Sequence, residues 1–384
     1  RQMCIRDRED VPGGIAGCVA DRIANPSKVR AFSFAACDAT PSCEQAQIHE
    51  SFAGATLLPR SFAQTTSSAT QVGVALGSSI YGYAIFTDED GWVKRGYRAD
   101  PGDDKCLLLL GSAWEDRHGV LMTAAPPNNG TPRLGGLVGS LDVDDAVAFD
   151  IVPVPVGYGP GNRPMGSTRW VWSFYPGDLH SVSVDDGSAL TTFAAYDPTI
   201  LLQDHVIATG PTFLFDHLAV VGGTTVEGHI AQSDGLSPAV PFTTPPPGSI
   251  DSMASYAHTH VAWMRGVGMQ DINKFDSVEV WASIYVPGAA TAQAYKVDDY
   301  ALTSVTPERA AGHGRLATIS GLDAPVFGET FVWDLAEKTR KSLVLPGGRT
   351  TYTYLGLTDH HLWVSGKPAN GLAPDALFRF DVGD

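Results

Sequence analysis

HLAVVGG (His217–Gly223), HVAWMRG (His260–Gly266), RLATISG (Arg315–Gly321) and HLWVSG (His361–Gly366) share one pattern. Each is a polar residue, then an apolar run of strand length, then Gly, a residue suited to a strand end or turn. Weaker copies lie upstream: YGYAIFTDEDG from Tyr81, HGVLMTAAP from His118 and RWVWSFYPG from Arg169. The seven starts are separated by 37, 51, 48, 43, 55 and 46 residues. A fixed period of this kind is the mark of a repeat architecture, in which one supersecondary unit is stacked many times.

The rest of each period is also strand-like. A variable loop follows the Gly, and then come SVEVWASIYV around Trp281, ETFVWDLAEKT around Trp333 and ALFRFDV around Phe380. Trp281, Trp333 and Phe380 are aligned to one repeat position. KSLVLPGG from Lys341 supplies a fourth strand, and TYTYLGLTD from Thr351 leads into His361. Four strands in about 40–50 residues is the size of a propeller blade.

Over about residues 70–384 the chain resembles β-propellers of the WD-repeat and TolB-type superfamily. Trp333-Asp334 and Phe380-Asp381 resemble the aromatic-Asp pair that ends the third strand of WD-repeat blades, although the Gly-His pair of that signature is absent. The resemblance implies an all-β fold, a seven-bladed β-propeller of four-stranded blades, with six or eight blades as alternatives. The last repeat lacks an outermost strand, so an N-terminal strand is expected to complete it and cover its edge. KVRAFSFAA from Lys28 or GATLLPRSFAQ from Gly54 could serve. The expected organisation is 1–8, 9–66 as a Cys-containing segment supplying that strand, and 67–384 as the propeller. Ser42–Glu50 and Pro307–Ala311 are the short helical candidates.

RQMCIRDR (Arg1 to Arg8) resembles the translated end of a transposon-based sequencing adapter and is expected to be foreign. The 384 residues carry a net charge of −16, and setting aside this +2 stretch makes it −18. Such acidity argues against nucleic acid or an anionic membrane, which are bound by neutralising phosphates with Lys and Arg. No apolar run approaches the roughly 18 residues that span a bilayer.

Cysteines 18, 37, 43 and 106 remain, and Cys37 and Cys43 bracket a turn-rich loop, DATPS, that could close as a disulfide. Paired cysteines imply an oxidising compartment, so an extracytoplasmic location is expected, with no signal peptide observable. No Cys-x-x-Cys or HExxH pattern occurs, and neither does a phosphate loop or a serine-hydrolase elbow, so no cofactor is expected. His258-Thr259-His260 could hold a metal if it ran as a strand with both rings on one face. Because His260 is aligned with His217, Arg315 and His361, a structural role at the turn before the second strand is preferred. The acidic turns from Thr87, Ser140 and Ser183 read as hairpin turns before calcium sites. Trp263, Trp281, Trp333 and Trp363, with Trp170 and Trp172, read as core, while Trp92 and Trp114 could be exposed.

Loops carry function on a rigid scaffold. The longest, VGMQDINKFDS (Val267–Ser277), follows Arg265; its counterparts are 125–133 and 367–375, and 155–168 and 242–251 connect blades. Arg133, Arg265, Asp271, Asn273, Lys274 and Asp276 are therefore the candidate ligand-binding residues. The expected function is a monomeric binding or scaffolding module that engages a protein or glycan through one loop face. The alternative is a propeller-fold hydrolase or lyase acting on polysaccharide.

Overall fold

Short apolar runs punctuated by Gly, Pro and Asp favour strands over helices, and strands are what form. A computed structural model describes the backbone of strands from Phe32 to Asp381, with side chains over 34–37, 42–46, 212–217 and most of 227–383. No helix occurs among these residues, so none is long and apolar enough to cross a membrane. Residues 1–8, Cys18, Trp92, Cys106, Asn273 and the acidic turns at 88–91, 141–146 and 184–187 lie outside the described residues, as do the side chains of Trp114, Trp170 and Trp172.

The strands form up-and-down antiparallel sheets in chain order. Four-stranded sheets run through 61–99, 107–151 and 309–344, and a three-stranded one through 169–193. A nine-stranded sheet consists of two antiparallel meanders, 200–241 and 249–300, joined by one parallel pairing, Gly228 to Ile250.

Consecutive antiparallel meanders pack face to face. Leu214, Ile230 and Phe242 meet Val261, Trp263 and Tyr285. Met264, Val278 and Val280 meet Leu316, Trp333 and Leu335. Ala317, Val332 and Leu343 meet Tyr354, Leu362, Val364 and Phe378. Inner strands are covered on both faces, so stretches such as Val261–Gly266 and Tyr354–Thr358 are buried throughout, whereas the outer strand Thr339–Val344 buries one residue, Leu343. Trp263, Trp333 and Trp363 are fully buried, as expected of core residues, while Trp281 is half-buried.

Register refines the alignment of repeats. Arg315 pairs Asp334 and His361 pairs Asp381, so Trp333-Asp334 and Phe380-Asp381 are equivalent. In the preceding sheet the equivalent of Trp333 is Ser283, and Trp281 lies two residues earlier, opposite Trp263. A two-residue offset keeps a side chain on the same face of a strand, so hydrophobic pattern alone does not detect it. His217 is likewise not the counterpart of His260, Arg315 and His361. Those three begin their strands, whereas His217 sits in the middle of Phe213–Val221, opposite His229.

The last sheet has five strands. After Arg349–Leu357, His361–Pro368 and Ala376–Asp381 come Cys43–Ile48 and then Phe32–Ala36. The added edge strand is thus part of Ser42–Glu50, which was expected to be helical. Glu, Gln and Ala favour a helix, but the open edge of Ala376–Asp381 supplies backbone partners, and Cys43–Gln45 pairs with Phe378–Phe380. Cys43 enters the core opposite Phe380, and Glu44 pairs with Arg379 at 2.6 Å. KVRAFSFAA provides the fifth strand instead, and GATLLPRSFAQ provides Ser61–Ala63 of the following sheet. Of the other helical candidate, Pro307–Ala311, the described residues are strand and not helix: Arg309–Gly312 is the first strand of its sheet, and 307–308 lie outside the described residues.

Cys37 and Cys43 form a disulfide, with Cα atoms 5.4 Å apart, and the Cys37 N–H donates to the Cys43 carbonyl at 3.0 Å. It ties the turn between the two added strands. Closing so short a loop removes little unfolded-state entropy, worth about 2 kcal/mol in the chain-entropy relation. The Cys37→Ala/Cys43→Ala protein is therefore expected to lose about that much by urea titration. Unchanged stability on reduction of the wild type would contradict the assignment.

Candidate functional site

His260–Asp271 and Lys274–Ile284 are the longest neighbouring strands among the described residues, 12 and 11 residues, against 5 and 6 for Arg315–Ile319 and Glu329–Asp334 in the next sheet. The segment expected as a long loop, 267–277, is therefore a β-ribbon. Val267 faces Ser277, Met269 faces Phe275 and Asp271 faces Lys274, which leaves residues 272–273 between the strands. The inner neighbour pairs only as far as Val267 and the outer one only from Val278. Among the described residues, the tip from Gly268 to Ser277 thus extends past both flanking strands. The physical reason is alternation: Met269 and Phe275 pack on the core below, and cross-strand pairing follows from them.

Two glycines shape the ribbon. A Cβ on Gly266 would lie 2.4 Å from the Phe275 ring, so this Gly is a mid-strand close approach and not a strand end. Gly268 has a φ of 69°, and its N–H donates to the carbonyl of Gly248 in the 242–251 connection at 3.2 Å. Met269 donates to the same oxygen at 3.3 Å. The connection thereby braces the root of the ribbon.

Beneath the tip lies a row of charges. Asp251, Arg265, Glu279 and Asp299 are register partners across four adjacent strands. Arg265 Nε and Nη2 donate to the Asp251 carboxylate at 2.6 and 2.8 Å, and the guanidinium lies 4.1 Å from the centre of the Trp281 ring. Trp281 Nε1 donates to Glu279 at 2.7 Å, and Lys296 reaches Glu279 at 2.9 Å. Asp251 is fully buried and Arg265 is 8% exposed.

Of the six residues expected to bind ligand, three belong to the ribbon strands: Asp271, Lys274 and Asp276. Lys274 and Asp276 are exposed on the ribbon, and Asp276 accepts a hydrogen bond from Gln270 at 2.6 Å. Asp271 ends the first ribbon strand, Asn273 lies outside the described residues, and Arg133 begins Arg133–Ser140 in another sheet. Arg265 lies beneath the ribbon and holds Asp251. Sequence reading missed Asp251, Glu279 and Gln270, whose roles come from cross-strand register. Of the described His, Cys, Asp and Glu side chains, no three gather as a metal-ligand set.

Removing one member of a buried, bidentate ion pair strands the other, at a cost of about 3–5 kcal/mol. Arg265→Leu is expected to lower unfolding stability by that amount, and Asp251→Leu/Arg265→Met to recover most of it. A loss below about 1 kcal/mol in Arg265→Leu, read from urea midpoints, would place the pair in water instead.

No protein-family model matches the sequence, and no curated protein matches it. Solved structures do match. A prolyl endopeptidase superposes with a TM-score of 0.54 at 10% identity, covering 95% of this chain and 50% of its own. This chain therefore spans about half the length of that enzyme. The β-propeller domain of the Trilobed protease from Pyrococcus furiosus, which has an open velcro topology, gives 0.51 at 7% identity, covering 84% and 93%. The WD40 domain of SCAP from fission yeast gives 0.41 at 10% identity, covering 94% and 98%. At these identities the likeness is one of fold. The superposition on the Trilobed protease propeller domain, with the all-strand meander sheets, makes the fold a β-propeller.

Proposed function

We propose that this protein is a binding or scaffolding β-propeller that engages a protein or glycan through the loop face carrying the 260–284 ribbon. The observation behind this reading is the ribbon tip, which runs past both flanking strands and presents Gln270, Lys274, Asp276 and Ser277 to solvent. A two-stranded ribbon on its own is marginal in water, and this one is braced by Gly248 and by Phe275 in the core. Its exposed groups include an amide, an ammonium and a carboxylate, suited to directional hydrogen bonds with peptide or sugar. Asp271 ends the strand before residues 272–273, Asn273 is proposed with it by sequence, and Arg133 is the contribution proposed from another sheet.

The same reading counts seven radial units. The 200–241 and 249–300 meanders are taken as two blades, and the Cys43–Ile48 strand as the closure of the last. It assigns an extracytoplasmic location, supported by the Cys37–Cys43 disulfide, and a monomer, which light scattering tests directly.

The binding reading is tested on a glycan microarray and a peptide array probed with wild type and Lys274→Ala/Asp276→Ala. Hits should weaken at least about tenfold in the variant, equivalent to about 1.4 kcal/mol. Hits of unchanged strength, with the fold intact by circular dichroism, would remove the ribbon from the site.

A further inference from the structure

Three consecutive inner turns, at 257–259, 313–314 and 358–360, lie side by side and are joined by side chains. His258 and His313 both adopt left-handed backbone, with φ of 62° and 47°. That conformation aims the His258 ring at the neighbouring turn. Its Nδ1 accepts the His313 backbone N–H at 3.1 Å, and the two rings lie 4.4 Å apart. His313 Nδ1 pairs in turn with the Asp359 carboxylate. Arg315 donates to the Asp359 carbonyl at 2.6 Å, and the Gly314 N–H donates to the Ala257 carbonyl at 2.8 Å.

We propose that this His258–His313–Asp359 chain is an acid-released latch between neighbouring sheets: proton uptake at His258 breaks its contact with the 313–314 turn. The proton balance requires it. In neutral His258 the Nδ1 lone pair is the acceptor and the other ring nitrogen carries the hydrogen. Imidazolium carries a hydrogen on both, so Nδ1–H would point at the His313 N–H, donor against donor. The facing groups determine the order of events. Tyr256, at the end of the strand leading into the His258 turn, contributes a ring edge 5.7 Å away. Asp359 pairs with His313, and Arg315 holds Asp359 through its backbone.

Burial pushes His258 down to about 4, and His313 adds to this while Asp359 opposes it. An opened turn restores the ordinary value near 6.5. The closed latch therefore binds fewer protons than the open one between about pH 6.5 and 4. Its stability is complete above that window and declines as pH falls through it. His229, also held at about 4 by burial and His217, lies on Thr225–Ser233 in the other meander of the same nine-stranded sheet.

The test is deuterium uptake by the 309–316 segment at pH 7 and 4.5, corrected for intrinsic exchange, in wild type, His258→Asn and His258→Ala. The opened fraction in wild type should rise on the order of tenfold or more on acidification. Asn tolerates positive φ and offers a non-titrating acceptor, so His258→Asn should stay closed at both pH values. His258→Ala should be open at both. Acid opening of equal size in His258→Asn overturns the proposal, as does opening confined to the His229 strand.

Discussion

A sheet of four or five antiparallel strands has two edges, and the open edge of Ala376–Asp381 would expose a row of unpaired N–H and C=O groups. Covering it is the constraint on which the rest of this structure depends. The chain does so with Cys43–Ile48, and each component of that strand has a separate role. Cys43 fills the core against Phe380, Glu44 neutralises Arg379, and the backbone completes the ladder. Arg379 also lies 4.0 Å from the Phe34 ring centre, and Phe34 packs edge-on against Trp363 at 5.7 Å. The fifth strand is thereby tied to the aromatic core, so the closing pair is held by side chains as well as by backbone.

Inward from that closure, the same physics acts at each sheet interface. Large apolar residues on inner strands interdigitate, and several buried polar groups are paired across the interfaces. Thr330 and Tyr354 join adjacent sheets through their hydroxyls at 2.7 Å, and Trp333 Nε1 donates to Asp298 at 2.8 Å. The buried Arg265–Asp251 pair is the most demanding case. It sits beneath the ribbon because a guanidinium can satisfy a carboxylate bidentately and still stack on Trp281. A Lys at 265 would supply the charge without the fork or the plane.

Fold class was legible in the sequence because strand phrases recur at blade-sized intervals, and the core tryptophans followed from them. What stayed hidden depends on register. Trp281 and Trp333 looked equivalent because an offset of two preserves the face. Ser42–Glu50 looked helical because local propensity carries no knowledge of an unpaired edge hundreds of residues away. Val267–Ser277 looked like a loop because its polar residues concealed Met269 and Phe275, which anchor it as a ribbon. Lys274 and Asp276 were found because a dense polar set stands out in a chain with few charges. Asp251 was not, since one Asp after a Pro-rich turn has no distinguishing context until Arg265 is placed opposite it.

The Glu44–Arg379 contact joins residues 335 apart in sequence. That separation gives the fold a temporal order. During synthesis the closing strand emerges from the ribosome long before the edge it will cover, and at about 5–20 residues per second the wait is tens of seconds. Through that interval Cys43 and its neighbours lack their partners on Ala376–Asp381, while later sheets can stack on one another through contacts nearer in sequence. Loop-closure entropy places the longest-range pairing last. These early strands are therefore among the last to be folded, and the Cys37–Cys43 loop, closed locally, can hold them as a preformed hairpin until Ala376–Asp381 arrives.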